Sequence, residues 1–124
     1  MSQVLLVEDN PIHQTVISAI LKANGLSVVI ASDGVEALEQ VQLARPNLII
    51  LDILMPRMDG YELCRRLKGD AKTQKIAVII FSTKSEECDF FRGCKQGADA
   101  YLSKLGNLQE LVNTVKRLLH RTYA

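Results

Sequence analysis

Aromatic residues are scarce in this 124-residue chain, at 5%, and neither sign of charge dominates: 15 Lys and Arg against 14 Asp and Glu leave a formal net charge of +1. The isoelectric point lies near 7.7. A nucleic-acid surface calls for excess positive charge with interleaved aromatics, and an anionic membrane for a basic face, so neither partner is expected. Basic residues do gather late, at Lys116, Arg117, His120 and Arg121, where cations at a helix end complement its dipole. No basic and apolar leader precedes the strand-like Val4-Leu5-Leu6-Val7, so no signal peptide is expected, and no apolar run nears the length of a membrane span. The three cysteines, Cys64, Cys88 and Cys94, are odd in number and lack metal-ligand spacing. In helix-like segments they read as reduced, small hydrophobes, and a cytoplasmic location is expected. Linkers, repeats and low-complexity tracts are missing as well. Residues 1–124 are therefore expected to form one domain, long enough to bury a core without staples.

What is present alternates. At 48% hydrophobic and 23% charged, the composition is that of an ordinary globular domain. Short apolar runs occur at Val4–Val7, Ser27–Ala31, Leu48–Leu51, Ile76–Phe81 and Ala100–Ser103. Helix-like stretches follow them near 11–24, 34–44, 60–69, 85–97 and 107–121. The last is the clearest, with Leu108, Leu111, Val112, Val115, Leu118 and Leu119 at helical spacing. Asn10-Pro11 places a cap residue before a proline at the first helical position. Asp33/Glu36, Asp59/Glu62, Thr83/Glu86 and Asn107/Glu110 have capping-box spacing. Gly25, Gly69 and Gly97 stand where left-handed helix ends are expected, and Pro46 closes the second helix. The pattern predicts a (βα)5 doubly wound, flavodoxin-like α/β fold with a parallel sheet in the order 2-1-3-4-5.

The residues that end the apolar runs carry the chemistry. Glu8-Asp9 follow the first, Asp52 the third, Ser82 the fourth and Lys104 the fifth. In a parallel sheet all of them emerge at one edge, and the first and third strands flank the switch-point crevice where ligands bind. Asp9 and Asp52 are expected to face each other across it, with Ser82 and Lys104 on the far side. Each has a plainer reading alone: an acidic turn and helix cap, a strand-end hydroxyl, a loop cation. Together they form a carboxylate cluster that repels itself unless a cation sits within it. Mg2+ suits such oxygen ligands, and the set suits a phosphoryl group carried on a carboxylate nucleophile.

Four ordered motifs extend this reading: Val4-Leu5-Leu6-Val7-Glu8-Asp9-Asn10; Pro46 through Asp52 and on to Met55-Pro56-Arg57-Met58-Asp59-Gly60; Val78-Ile79-Ile80-Phe81-Ser82; and Gly97-Ala98-Asp99-Ala100-Tyr101-Leu102-Ser103-Lys104. Over its whole length the chain resembles the receiver domain of two-component response regulators, and looks like the stand-alone, chemotaxis-type members without an effector domain. The resemblance implies that Asp52 accepts a phosphoryl group from a sensor histidine kinase or phosphotransfer protein. It implies that Glu8, Asp9, Asp52 and the backbone carbonyl of Leu54 hold Mg2+, and that Lys104 contacts phosphoryl oxygens. Ser82 and Tyr101 are then the switch residues, and the output is a downstream target protein. Whether the chain forms a homodimer, through the face of the fourth helix, fifth strand and fifth helix, is left open by the sequence.

Three positions depart from the family pattern. Lys104-Leu105-Gly106 replaces a lysine followed by proline in a cis peptide; since a non-proline cis bond costs roughly 2.5–4 kcal/mol, a trans bond is expected here. Thr83 stands where a small residue is usual. Phe90 precedes the expected core residue Phe91, and is either a ring at the core margin beside Cys94 or a partner anchor on the fourth helix. Leu54 and Lys84 flank the path of hydrolytic water, and Leu54 offers no hydrogen bond to orient it. A redox module of the same fold would need a Gly/Ser/Thr-rich phosphate loop where Glu8-Asp9-Asn10-Pro11 stands, and an aspartyl-phosphate hydrolase would need a second Asp in place of Leu54. The remaining alternative is a degenerate receiver that works as a constitutive interaction module.

Overall fold

The computed structural model describes residues 2–123 of the chain, without the side chains beyond His120. Arg121, counted above among the late basic residues, thus has its side chain outside the described residues. Strands β1 (Gln3–Val7), β2 (Ser27–Ala31), β3 (Leu48–Leu51), β4 (Ala77–Ser82) and β5 (Ala100–Ser103) alternate with helices α1 (Pro11–Ala23), α2 (Gly34–Ala44), α3 (Gly60–Gly69), α4 (Glu87–Lys95) and α5 (Leu108–Tyr123). All strand pairs are parallel, and the sheet order is β2-β1-β3-β4-β5. The expected doubly wound, flavodoxin-like fold is the one observed.

Side-chain alternation on the three central strands builds a core on each face of the sheet. Leu5, Val7, Ile49, Leu51, Val78 and Ile80 pack with α2 and α3. Val4, Leu6, Leu48, Ile50, Ile79 and Phe81 pack with Ile17 and Leu21 of α1 and Leu111, Val115 and Leu118 of α5. Every residue of β3 and β4 is buried, as befits parallel strands covered on both faces. Each such Leu or Ile contributes about 1.5–3 kcal/mol relative to exposure. The edge strands β2 and β5 are mostly half-buried.

The helix ends follow the cap chemistry with three exceptions. Asn10 Oδ1 accepts the N–H groups of Ile12 and His13, and the carboxylates of Asp33 and Asp59 accept those of Glu36 and Glu62. Gly25 and Gly97 have φ of 81° and 96°. Gly69 is not left-handed; α3 passes into an extended Asp70, and it is Arg45, with φ 48°, that closes α2. Thr83 does not cap α4 either. Ser82 Oγ takes the Lys84 N–H at 3.2 Å and holds this stretch in a turn, so the cap moves to Glu86, whose N–H donates to Asp89 at 3.1 Å. The expected core role of the cysteines holds for Cys64 alone; Cys88 and Cys94 are exposed on α4.

Burial pushes the Cys64 thiol up to about 11. Thiol labelling of the native protein at about pH 8 is expected to modify Cys88 and Cys94 quickly and Cys64 only after unfolding. Three equally fast thiols would contradict the packing of α3.

Candidate functional site

The C-terminal sheet edge gathers two buried carboxylates and one buried ammonium. Glu8 is 1% exposed and Asp52 8%. Asp52 Oδ1 accepts the N–H of Ile53 at 2.6 Å and, more weakly, that of Leu54 at 3.4 Å. Its other oxygen, Oδ2, accepts from Lys104 Nζ at 2.7 Å. The same ammonium donates to Glu8 Oε1, while Glu8 Oε2 accepts the Asn10 N–H at 3.2 Å. Two carboxylates against one ammonium leave one negative charge in a poorly solvated place, a setting that favours a further cation.

Lys104 reaches this point because of its strand. Ser82 pairs with Ser103 in the β4–β5 register, and the Lys104 N–H donates to the Ser82 carbonyl at 3.0 Å. The turn beyond it is built without proline: Ser103 Oγ accepts the Leu105 N–H at 3.0 Å and the Ser103 carbonyl accepts the Gly106 N–H at 3.1 Å. No cis peptide occurs among the described residues. Lys104–Leu105 is therefore trans, as expected.

The loop after Asp52 is fixed from two sides. A Cβ on Gly60 would lie 2.2 Å from the Asp52 carbonyl oxygen and 2.8 Å from Leu51 Cδ1, so glycine alone permits this approach of α3 to the strand end. Arg57, at a left-handed φ of 66°, donates from Nε and Nη2 to Asp33 Oδ2 at 2.8 and 2.7 Å. The Glu36 N–H, then Arg57, hold the Asp33 carboxyl below its ordinary range against the opposing effect of burial.

Not every expected residue converges on the centre. Asp9 is exposed, and among the described residues no three His, Cys, Asp or Glu side chains stand as a ready metal cage. Of the three expected carboxylates, Glu8 and Asp52 are buried and meet at Lys104, while Asp9 is exposed. Leu54 is 57% exposed. Ser82 is fully buried, its hydroxyl turned to the Lys84 N–H.

Tyr101 lies inward. Its hydroxyl donates to the Lys84 carbonyl at 2.5 Å and lies 3.4 Å from the Tyr61 hydroxyl. A Cβ on Gly93 would meet its ring at 2.5 Å, and the Phe90 ring stands edge-on to it at 4.7 Å. Phe90, considered above as a partner anchor, thus takes the core-margin position. The expected core residue Phe91 is the exposed one, at 65%. The reason is helical phase: Phe90 shares the face of Gly93 three residues on, which packs against Tyr101 and Ile80, and the next residue turns away.

Two contributors escaped the sequence reading. His13, in the first turn of α1, brings Nδ1 within 3.3 Å of Glu8 Oε1 and 3.1 Å of Lys104 Nζ; its position one turn after the acidic pair was the available signal. Tyr61, buried beneath Tyr101 with Arg92 over its ring at 4.2 Å, looked like an ordinary residue of α3.

The model of the response regulator receiver domain family matches residues 4–116, and the chain belongs to this family. Response regulator MprA of Mycobacterium leprae is 37% identical over 120 residues, covering 97% of this chain and 52% of that protein. The chain thus spans about half the length of the curated relatives it matches. The signal receiver domain of a signal transduction histidine kinase from Syntrophus aciditrophicus superimposes with a TM-score of 0.90 at 39% identity, covering 97% of this chain and 91% of that one. The receiver domain of sensor histidine kinase PA1611 from Pseudomonas aeruginosa, whose structure has a magnesium ion coordinated in the active site cleft, gives a TM-score of 0.87 at 29% identity over 96% and 98% of the two chains. The protein is accordingly a signalling receiver of the two-component type. No helix among the described residues is long and apolar enough to cross a membrane.

Burial first, then hydrogen bonding to Tyr61, raises the Tyr101 hydroxyl well above its ordinary value. The folded state keeps this proton where the unfolded chain loses it, near pH 10, so the contribution is complete below that pH and stability falls as pH rises beyond it. Urea melts across about pH 9 to 11 are expected to show a shallower alkaline decline for Tyr101→Phe than for the wild type. Equal slopes would mean an accessible hydroxyl.

Proposed function

We propose that the chain is a phosphorylation-driven switch in which Asp52 accepts a phosphoryl group from the phosphohistidine of a sensor histidine kinase or phosphotransfer protein. The asymmetry of the Asp52 carboxylate carries this reading: Oδ1 is tied by backbone N–H groups, whereas Oδ2 faces a side-chain ammonium that can move. Oδ2 attacks phosphorus in line as the P–N bond breaks, and that electron pair leaves on the donor imidazole. Lys104 then pairs with phosphoryl oxygens.

Glu8, Asp9, Asp52 and the Leu54 backbone carbonyl are the groups we assign to Mg2+. The donor set fits, because two buried carboxylate oxygens already converge on one cationic point and retain excess negative charge. The magnesium in the PA1611 receiver is the precedent. When bound, the ion supplies charge neutralisation at the phosphoryl oxygens.

Ser82 and Tyr101 are assigned the switch because both grip Lys84, one through its N–H and the other through its carbonyl. A Ser82 hydroxyl recruited to phosphoryl oxygen releases one side of the residue that Tyr101 holds from the other. A downstream target protein is the reader we assign to the α4 face, where Phe91 stands exposed with Lys95 5.6 Å from its ring centre; a second copy of the chain is the other reader this face would suit. The reading carries a cytoplasmic location with it, and gives this domain neither nucleic acid nor membrane as partner.

Incubation with Mg2+ and a small-molecule phosphodonor is expected to add one alkali-labile acyl phosphate, detected by intact mass, that is lost in Asp52→Ala and on chelation. Absence of the adduct in the wild type would leave a constitutive interaction module instead. In a separate measurement, the phosphorylated wild type is expected to outlive phosphorylated Leu54→Asn several-fold, since an amide there orients a hydrolytic water. Equal half-lives would remove Leu54 from the control of dephosphorylation.

A further inference from the structure

Lys104 carries three N–H groups on its ammonium, and three acceptors surround them: Glu8 Oε1, Asp52 Oδ2 at 2.7 Å and His13 Nδ1 at 3.1 Å. Nδ1 lies nearer to the Lys104 ammonium, at 3.1 Å, than to Glu8 Oε1, at 3.3 Å; it accepts from Lys104 with the imidazole proton on Nε2, and donates to Glu8 with the proton on Nδ1. Two of these acceptors are the carboxylates assigned above to Mg2+. The third is a nitrogen, outside the all-oxygen set that a hard cation prefers. The His13 backbone is fixed in the first turn of α1, because the His13 N–H and the Ile12 N–H both donate to the Asn10 cap and Pro11 opens the helix.

We propose that His13 is a positioning residue for Lys104, a third acceptor that holds the ammonium over Glu8 and Asp52 and thereby opposes its displacement by a divalent cation. The inference rests on the phosphoacceptor reading, which assigns the Glu8 and Asp52 oxygens to Mg2+.

The competition follows from geometry and charge. The ammonium lies against Glu8 Oε1 and Asp52 Oδ2, so a divalent cation that takes either of these oxygens draws Lys104 away from it. An ammonium held by two carboxylates yields when a doubly charged ion offers them a stronger partner. One held also by His13 Nδ1 as acceptor loses an additional hydrogen bond as it moves off, so His13 weights the balance toward the lysine-closed state. The His13 side chain is 44% exposed, which places its contribution at the lower end for a bond to a charged group and makes its replacement tolerable to the fold.

Three proteins in one metal-free buffer test this: wild type, His13→Ala, and His13→Asn, whose Oδ1 restores an acceptor at the same number of bonds from the backbone. Calorimetric titration with MgCl2 is expected to show His13→Ala binding about three- to tenfold more tightly than wild type, with His13→Asn within about twofold of it. The Lys104 ammonium protons, followed by NMR without metal, are expected to exchange faster with solvent in His13→Ala and near the wild-type rate in His13→Asn. A wild type that binds Mg2+ while His13→Ala binds it equally or more weakly would overturn the role of His13. A wild type that binds no Mg2+ at millimolar concentration would overturn the phosphoacceptor reading itself, and this inference with it.

Discussion

Two carboxylates withdrawn from water at the end of a sheet repel one another, and here the ammonium of Lys104 lies between them. Glu8 arrives from β1, Asp52 from β3 and Lys104 from β5, so the charge balance at the site is a property of the whole sheet. Each ion loses several kcal/mol of hydration on burial, and the loss is offset only while the partners stay together. Strand register consequently has an electrostatic dimension as well as an apolar one. A one-residue slip of β5 would turn Lys104 to the other face and leave Glu8 and Asp52 facing each other with no cation between them.

The loops around this centre are held by contacts that leave little freedom near Asp52 and more near Tyr101. Gly60 lets α3 close against the Asp52 carbonyl, and the Arg57–Asp33 pair ties the same loop to the cap of α2. The β4–α4 turn has a different character, hanging on one residue, Lys84, gripped from both sides. For the switch proposed above, a fixed Asp52 beside a turn held through Lys84 would keep the chemistry in register while its consequence is displaced.

Elements, strand order and the residues at the strand ends were legible in the sequence because each rests on a local regularity: apolar runs, capping spacing and the one edge at which parallel strands end. Side-chain partnership was not. Lys104, Glu8 and Asp52 could be placed at one edge, but nothing in their spacing says that the ammonium bridges the carboxylates. His13 was missed because a histidine in a first helical turn becomes a site residue only once the Lys104 side chain reaches back across the sheet edge to it. Phe90 and Phe91 were exchanged because a one-residue phase on a short helix is decided by Gly93 meeting Tyr101, a contact between distant segments. Thr83 failed as a cap for a similar reason: the Ser82 hydroxyl claimed the local backbone first.

The two cores, separated by the sheet, have a bearing on how such a molecule can specialise. Tyr101 packs into the face shared with α2 and α3, whereas α1 and α5 close the opposite face. In the proposed switch, rearrangement at Tyr101 would act on the first core, across the sheet from the second, which has His13 on its α1 rim. On that reading, substitutions around Tyr101 and substitutions in the packing of α1 and α5 fall on opposite faces of the sheet and can accumulate separately.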